Sequence, residues 1–177
     1  MSIILHTCCA PCSIMCTKSL RNEGIEPIMF WYNPNIHPFS EYNSRLEGLG
    51  TLARTENLEV VSEGASYGLR FFLDALDGDF VNRCDKCYKM RLDAAAGYAR
   101  DRGFDGFSTT LLISPYQRHE RLRELGKLAS EAYGVPFIYR DFRPLFREGQ
   151  RIARDLGLYR QKYCGCIFSE EERYGAN

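Results

Sequence analysis

The chain has 177 residues, enough for one domain with a proper core and no need of disulfide staples. Its hydrophobic share is 45%, ordinary for a globular protein, and 23 basic residues balance 23 acidic ones, so net charge gives no sign of nucleic-acid binding. No apolar stretch approaches the length of a membrane span, and residues 1–6 lack the basic region and apolar run of a signal peptide, so no membrane association is expected. The expected compartment is the cytoplasm, where thiols stay reduced and available as ligands.

Residues 3–5 read as a short apolar strand running into a cysteine-rich turn. Pro11 suits the first turn of a helix to about residue 22, which Gly24 stops. Residues 28–32 read as a second buried strand and Asn33-Pro34-Asn35 as a turn. Ser40 suits the N-cap of a helix to about residue 57, supported by Glu41 and Arg45 at i,i+4. A third strand follows at 58–62, then a helix at 67–76 and a break at Asp77-Gly78-Asp79. Residues 84–101 read as a helix, 104–110 as a fourth strand, and 117–133 as a helix ended by Gly134 and Pro136. A fifth strand is expected at 137–140 and a helix at 145–156, then a cysteine-bearing tail whose residues 170–177 are polar and mobile.

Strands alternate with helices throughout. The pattern predicts an α/β fold: a single domain over residues 1–177 with an open, mostly parallel sheet flanked by helices and joined by right-handed crossovers. Such sheets bind ligands beyond the carboxyl ends of their strands. Cys8, Asn33, Thr109 and Asp141 all fall at or just past such an end and are expected to share one rim.

Eight cysteines form three groups: Cys8, Cys9, Cys12 and Cys16; Cys84 and Cys87; Cys164 and Cys166. Groups so far apart share a site only if the whole fold gathers them, and the pattern points to a metal or redox centre. Cys84-Asp85-Lys86-Cys87 at a helix start places two sulfurs on one side, near the positive end of the helix dipole. Half a zinc site, a dithiol and two cluster ligands all fit it, and the two further cysteine groups disfavour a thioredoxin-like dithiol. Cys8, Cys9 and Cys12 crowd a single small ion and more naturally serve two adjacent centres, or a cluster and a reactive thiol. Cys16, beside Met15 inside a helix, reads as core. Gly165 lets the backbone turn so that Cys164 and Cys166 both point inward, with metal then tethering the chain from about residue 157. Seven candidate ligands exceed the four thiolates of one zinc site or one iron–sulfur cluster, so a cluster with a second centre or with redox thiols is expected.

Weaker signals accompany these. Residues 48–53 match a dinucleotide fingerprint in form, but they lie inside a helical stretch and are rejected. His6 reads as a satisfied core histidine, while His37 and His119 bind substrate or are exposed. Thr109, Thr110, Ser114 and Gln117 form a polar loop, and Tyr116, Tyr139 and Phe142 are stacking surfaces or core. Between Arg140 and Lys162, seven basic residues (140, 143, 147, 151, 154, 160 and 162) outnumber Asp141, Glu148 and Asp155 by four. That excess is either a solvated helix face or a phosphate-facing patch.

Six motifs in order now coincide: His6-Thr7-Cys8-Cys9-Ala10-Pro11-Cys12; residues 30–36 (FWYNPNI); Arg83-Cys84-Asp85-Lys86-Cys87-Tyr88 with Arg91-Leu92; residues 108–112 (STTLL) with Ser114-Pro115; Asp141-Phe142-Arg143; and Gln161-Lys162-Tyr163-Cys164-Gly165-Cys166. Together they resemble QueH-type epoxyqueuosine reductase over nearly the whole chain. The resemblance implies a fold similar to adenine-nucleotide alpha hydrolases, unrelated to the cobalamin-dependent enzyme for the same reaction. It implies the last step of queuosine synthesis, reduction of the epoxide of epoxyqueuosine at the wobble position of tRNA. It also implies a 4Fe-4S cluster and a nearby mononuclear iron; where some relatives carry an aspartate after the CCAP run, this chain has Cys12.

On this reading Cys84, Cys87, one of Cys8 and Cys9, and one of Cys164 and Cys166 hold the cluster. The remaining thiolates, with Cys12, hold the second iron, a Lewis acid toward the epoxide. Cys9 and Cys12 are thereby catalytic candidates, with Asp85, Tyr88 and Asp141 as candidate proton donors. Asn33, Asn35, Thr109, Thr110, Ser114 and Gln117 are expected to bind substrate. Arg143, Arg147 and Arg151, with Arg154, Arg118 and Arg121, are expected to hold phosphates of the anticodon stem-loop. Electrons come from an external low-potential donor such as ferredoxin or flavodoxin. Two rivals are a zinc-stabilised tRNA-binding module without redox activity and a sulfur transferase using Cys9 or Cys12, the latter disfavoured by the missing phosphate-binding loop.

Overall fold

The apolar run at Ile3, Ile4 and Leu5 is wholly inaccessible to solvent, as a strand covered on both faces requires. It forms β1 (Ser2–Thr7), which pairs in parallel with β2 (Glu26–Trp31). A short β3 (Val60–Ser62) pairs with the far side of β2, and β4 (Gly106–Thr109) with the far side of β1. The sheet is therefore four parallel strands in the order β3-β2-β1-β4. The structure, a computed structural model, describes residues 1–62 and 67–175. Around the sheet lie α1 (Ala10–Asn22), α2 (Phe39–Glu56), α3 (Leu69–Leu76), α4 (Arg83–Arg102), α5 (His119–Tyr133), α6 (Phe146–Asp155) and α7 (Ile167–Tyr174). Among the described residues no helix is long and apolar enough to cross a membrane.

The order of strands reverses around β1. Right-handed crossovers then put α1 and α2, which touch each other, on one face, and α4 with its partner α5 on the other. The carboxyl ends of β2, β1 and β4 lie side by side, so Asn33, Cys8 and Thr109 do share a rim. Asn33 Nδ2 donates to Thr7 O at 2.8 Å across it.

Several elements differ from the sequence reading. The fifth strand at 137–140 is reduced to a single bridge between Phe107 and Phe137. Pro136 has no N–H to extend the ladder, and beyond Ile138 the chain turns away, Tyr139 to His119 and Arg140 to Glu23. Asp141 therefore follows no strand end. Ser40 is not an N-cap: the helix starts at Phe39 after Pro38, without a side-chain cap. The Glu41–Arg45 pair exists at 2.7 Å, but it is buried rather than a surface support. The tail is also more ordered than expected. Residues 167–174 are helical, with Cys166 Sγ accepting from Ser169 N at 3.4 Å, an Arg83–Glu172 ion pair, and Phe168 5.0 Å from Phe80. The tail's last two residues lie outside the described residues.

Close helix contact positions the cysteine turn. A Cβ on Gly149 of α6 would stand 3.0 Å from Pro11 O and 3.4 Å from Met15 Cγ of α1. Gly149→Val is therefore expected to overpack this crossing and cost about 1–3 kcal/mol in chemical denaturation.

Candidate metal centre

Cys8 and Cys9 occupy the turn between β1 and α1, with Cys9 as the N-cap and Cys12 one turn on. Ser13 Oγ donates to Cys9 O at 2.8 Å, tightening that turn. All three thiols are buried, and Cys8 and Cys9 Sγ stand 4.0 Å apart. Two thiolates on one tetrahedral ion with bonds of about 2.3 Å stand about 3.8 Å apart, so this spacing suits a single ion. Hydrogen bonds from Cys12 and Cys9 hold the Cys8 thiol well below its ordinary value, while Cys8 and Cys9 push Cys12 well above. The three thiols that the sequence reading assigned to two adjacent centres, or to a cluster and a reactive thiol, all lie at this one turn. Cys16 is fully buried in the core, as read.

Cys84 and Cys87 sit in the first turn of α4. Cys87 shares a buried apolar cluster with Cys166, Phe72 and Leu76. Burial, then the charges of Cys164 and Cys166, raises Cys84, and burial pushes Cys87 up to about 12. Cys164 is exposed and Cys166 buried. The thiols that act most strongly on one another therefore fall into a set of four (84, 87, 164, 166) and a set of three (8, 9, 12).

Arg91 lies between the sets. It is one turn beyond Cys87 on α4 and 2% exposed, and its Nε donates to Cys87 O at 3.2 Å. Its Nη2 is buried and without a partner among the described residues. Burial works against its charge, but Cys87, Cys8 and Cys164 outweigh this and raise its pKa. A buried cation whose strongest partners are thiols needs those thiols ionised, and metal binding ionises thiols. That fits a metal group held by thiolates. Among the described residues, no three ligating side chains already converge on one ion position. A four-iron cluster is wider than one ion and takes more widely spaced thiols.

Other expected residues vary in their surroundings. Asn35 Oδ1, Asn33 Oδ1 and Thr110 Oγ1 are buried at the rim without partners among the described residues. Thr109 is engaged internally: its Oγ1 accepts from Leu111 N at 3.2 Å and lies 3.0 Å from His6 Nδ1. His6 is a satisfied core histidine, held at about 4 by burial and Arg91. Ser114 Oγ accepts from Tyr116 N. Gln117 accepts from Tyr88 Oη at 2.7 Å and reaches Cys164 Sγ at 3.5 Å. Asp85 is paired to Arg118 and Arg121 at 2.9 and 2.8 Å. Asp141 is held at about 2 by Arg143, 2.6 Å away. Arg147 and Arg151 are exposed on α6, and Arg151 pairs with Asp155 at 3.1 Å. Phe142 is core rather than a stacking surface, and His37 is fully buried rather than exposed.

Sequence reasoning gave no role to Gln161, whose Nε2 lies 3.0 Å from Cys9 Sγ and 3.7 Å from Cys12 Sγ. Nothing in its local sequence signals that contact. Arg91 could have been found, because i,i+4 spacing from Cys87 places it on the same helix face.

The fold also occurs in a chain described as a predicted subunit of a tRNA methyltransferase from Methanocaldococcus jannaschii (TM-score 0.51, 13% identity, 90% of each chain covered). Two curated proteins named epoxyqueuosine reductase QueH match far more of the sequence itself. That of Dehalococcoides mccartyi is 38% identical over 173 residues, covering 98% of this chain and 94% of its own. That of Thermotoga maritima is 37% identical over 180 residues, covering 97% and 92%. The family model described as epoxyqueuosine reductase QueH matches residues 3–172, so the chain belongs to the epoxyqueuosine reductase QueH family.

Proposed function

We propose that this chain reduces epoxyqueuosine to queuosine in tRNA, in the cytoplasm, by a cobalamin-independent route. The observation that carries the reading is a buried Arg91 with no carboxylate partner among the described residues, whose charge is favoured by thiols of both groups, Cys87 and Cys164 of one and Cys8 of the other. The set of four (Cys84, Cys87, Cys164, Cys166) would hold a 4Fe-4S cluster, and Cys8, Cys9 and Cys12 a single iron. When bound, these groups supply electrons one at a time from an external low-potential donor, such as a ferredoxin or flavodoxin, and Lewis acidity toward the epoxide oxygen.

Removing that oxygen breaks two C–O bonds and forms a C=C bond. It takes two electrons and two protons and releases water. Of the three candidate proton donors, Asp85 is committed to two arginines and Asp141 is ionised by Arg143. Tyr88 keeps its proton at Oη, since burial pushes it up to about 12. Tyr88→Phe is expected to retain the metal and lower turnover by roughly 10²–10⁴-fold; unchanged turnover would remove Tyr88 from this role. Asn33 Oδ1, Asn35 Oδ1 and Thr110 Oγ1, without partners among the described residues, offer polar contacts at the rim.

The anticodon stem-loop would meet the outer side of α6, which packs on α1 beside the cysteine turn. Arg147→Ala with Arg151→Ala is expected to weaken binding of the stem-loop and reduce its salt slope by about 1–2. An unchanged slope in a salt titration would move the interface elsewhere. The activity itself is tested by incubating the anaerobically reconstituted protein and dithionite with epoxyqueuosine-bearing stem-loop. Nucleoside mass spectrometry should show loss of one oxygen; an unaltered nucleoside would refute the reading.

A further inference from the structure

The segment from Tyr159 to Ile167 carries three thiol-site residues: Gln161 at Cys9 and Cys12, then Cys164 and Cys166 beside Cys84 and Cys87. It crosses α2, and there it meets a buried ion pair. Arg45 and Glu41 are 1% and 7% exposed, with Arg45 Nε 2.7 Å from Glu41 Oε1. The rest of the guanidinium leaves the helix: Nη1 donates to Cys164 O and Nη2 to Tyr163 O, both at 3.0 Å. Its carbon stands 5.8 Å from the Tyr163 ring centroid. The second oxygen of Glu41 accepts from Tyr159 Oη. One carboxylate and one guanidinium therefore grip the segment at residues 159, 163 and 164.

Gly165 passes so close that a Cβ there would lie 3.2 Å from Arg45 Nη1, and its φ of 137° suits glycine. His37 closes the grip from the other side. Its N donates to Gly165 O at 2.7 Å, its Nδ1 accepts from Ile167 N at 3.1 Å, and its carbonyl accepts from Tyr163 Oη. None of these bonds involves a metal. The guanidinium fork is suited to two carbonyls at once in a way lysine is not.

We propose that Glu41 and Arg45 are positioning residues that lock segment 159–167 before any metal arrives, setting Gln161 on one thiol set and Cys164 and Cys166 in the other. The tether of the C-terminal segment is thus the protein's own, made by hydrogen bonds to Glu41, Arg45 and His37. The proposal rests on the reading of the seven thiols as ligands only for its consequence, not for the lock itself.

The test begins with metal-free protein, so the lock is judged separately from the metal reading. Glu41→Gln with Arg45→Met removes the grip without leaving a lone buried charge. Tyr159→Phe removes one hydrogen bond only and serves as the mild variant should the double one not fold. Alkylation of each cysteine by maleimide is followed by mass spectrometry, with core Cys16 as internal reference. In the parent protein Cys9 and Cys166 should be protected, and amides 163–167 should exchange slowly both with and without metal. The double variant should alkylate at Cys166 and Cys9 at least tenfold faster, and Tyr159→Phe to a smaller degree, with Cys16 unchanged. Unchanged rates at Cys166, or equal acceleration at Cys16, would overturn the proposal. So would fast exchange of 163–167 in the metal-free parent.

Discussion

Replacing Cys87 with alanine is expected to remove all acid-labile sulfide and about four irons per chain, leaving the fold and about one iron in place. Cys87 is buried in one cluster with Cys166, Phe72 and Leu76, and burial pushes its thiol up to about 12. At neutral pH such a thiol becomes a thiolate only when something positive binds it. Cys84, Cys164 and Cys166 should behave alike, since a cluster needs all four. Cys8, Cys9 or Cys12 replacements should instead lose the single iron and keep the sulfide. Cys16→Ala should keep both, because Cys16 is a core residue of α1. Iron and sulfide analysis of the eight variants checks the division. Full sulfide in the Cys87 variant, or none in the Cys8 variant, would refute it.

Arg91→Met is expected to act in opposite directions on the two forms of the protein. Without metal, Arg91 is a buried cation whose Nη2 has no partner among the described residues, and the side chain that replaces it is apolar and of similar length. Exchanging a buried charge for a well-packed apolar side chain is commonly neutral or stabilising by about 1–4 kcal/mol, so the metal-free variant should melt no lower than the parent. With metal, on the proposed reading, four thiolates around a cluster would leave net negative charge, and Arg91 would be its buried counter-ion. Losing it should lower the reduction potential, since a nearby cation favours the more negative, reduced state. It should also speed cluster loss. Calorimetry of both forms and a redox titration check this. Destabilisation of the metal-free form with an unchanged potential would make Arg91 a packing residue.

Much of this was legible in the sequence because the signals were local. The apolar runs at Ile3–Leu5 and Ile28–Trp31 can only be buried strands once helices separate them, and the parallel sheet follows. Cys84 and Cys87 announce themselves by spacing, and Cys16 by its place inside a helix. What the sequence could not carry was long-range partnership. Residues 137–140 have strand composition, yet among the described residues they form just a single bridge, from Phe137 to Phe107. His37 read as substrate-binding or exposed, yet it is buried and its ring accepts from Ile167 N, 130 positions away. Glu41 and Arg45 matched a surface helix pair, and only the returning segment at Tyr159–Cys164 buries them. The proposed grouping of seven thiols as four and three likewise rests on long-range neighbours in the folded chain.

The most direct test is to purify the protein without oxygen, record its visible spectrum, and count iron, sulfide and zinc. The expected result is a brown protein absorbing near about 400 nm, bleached by dithionite, with about four sulfides and about five irons per chain. A colourless protein holding zinc and no sulfide would contradict the two-centre reading and leave a zinc-stabilised tRNA-binding module in its place.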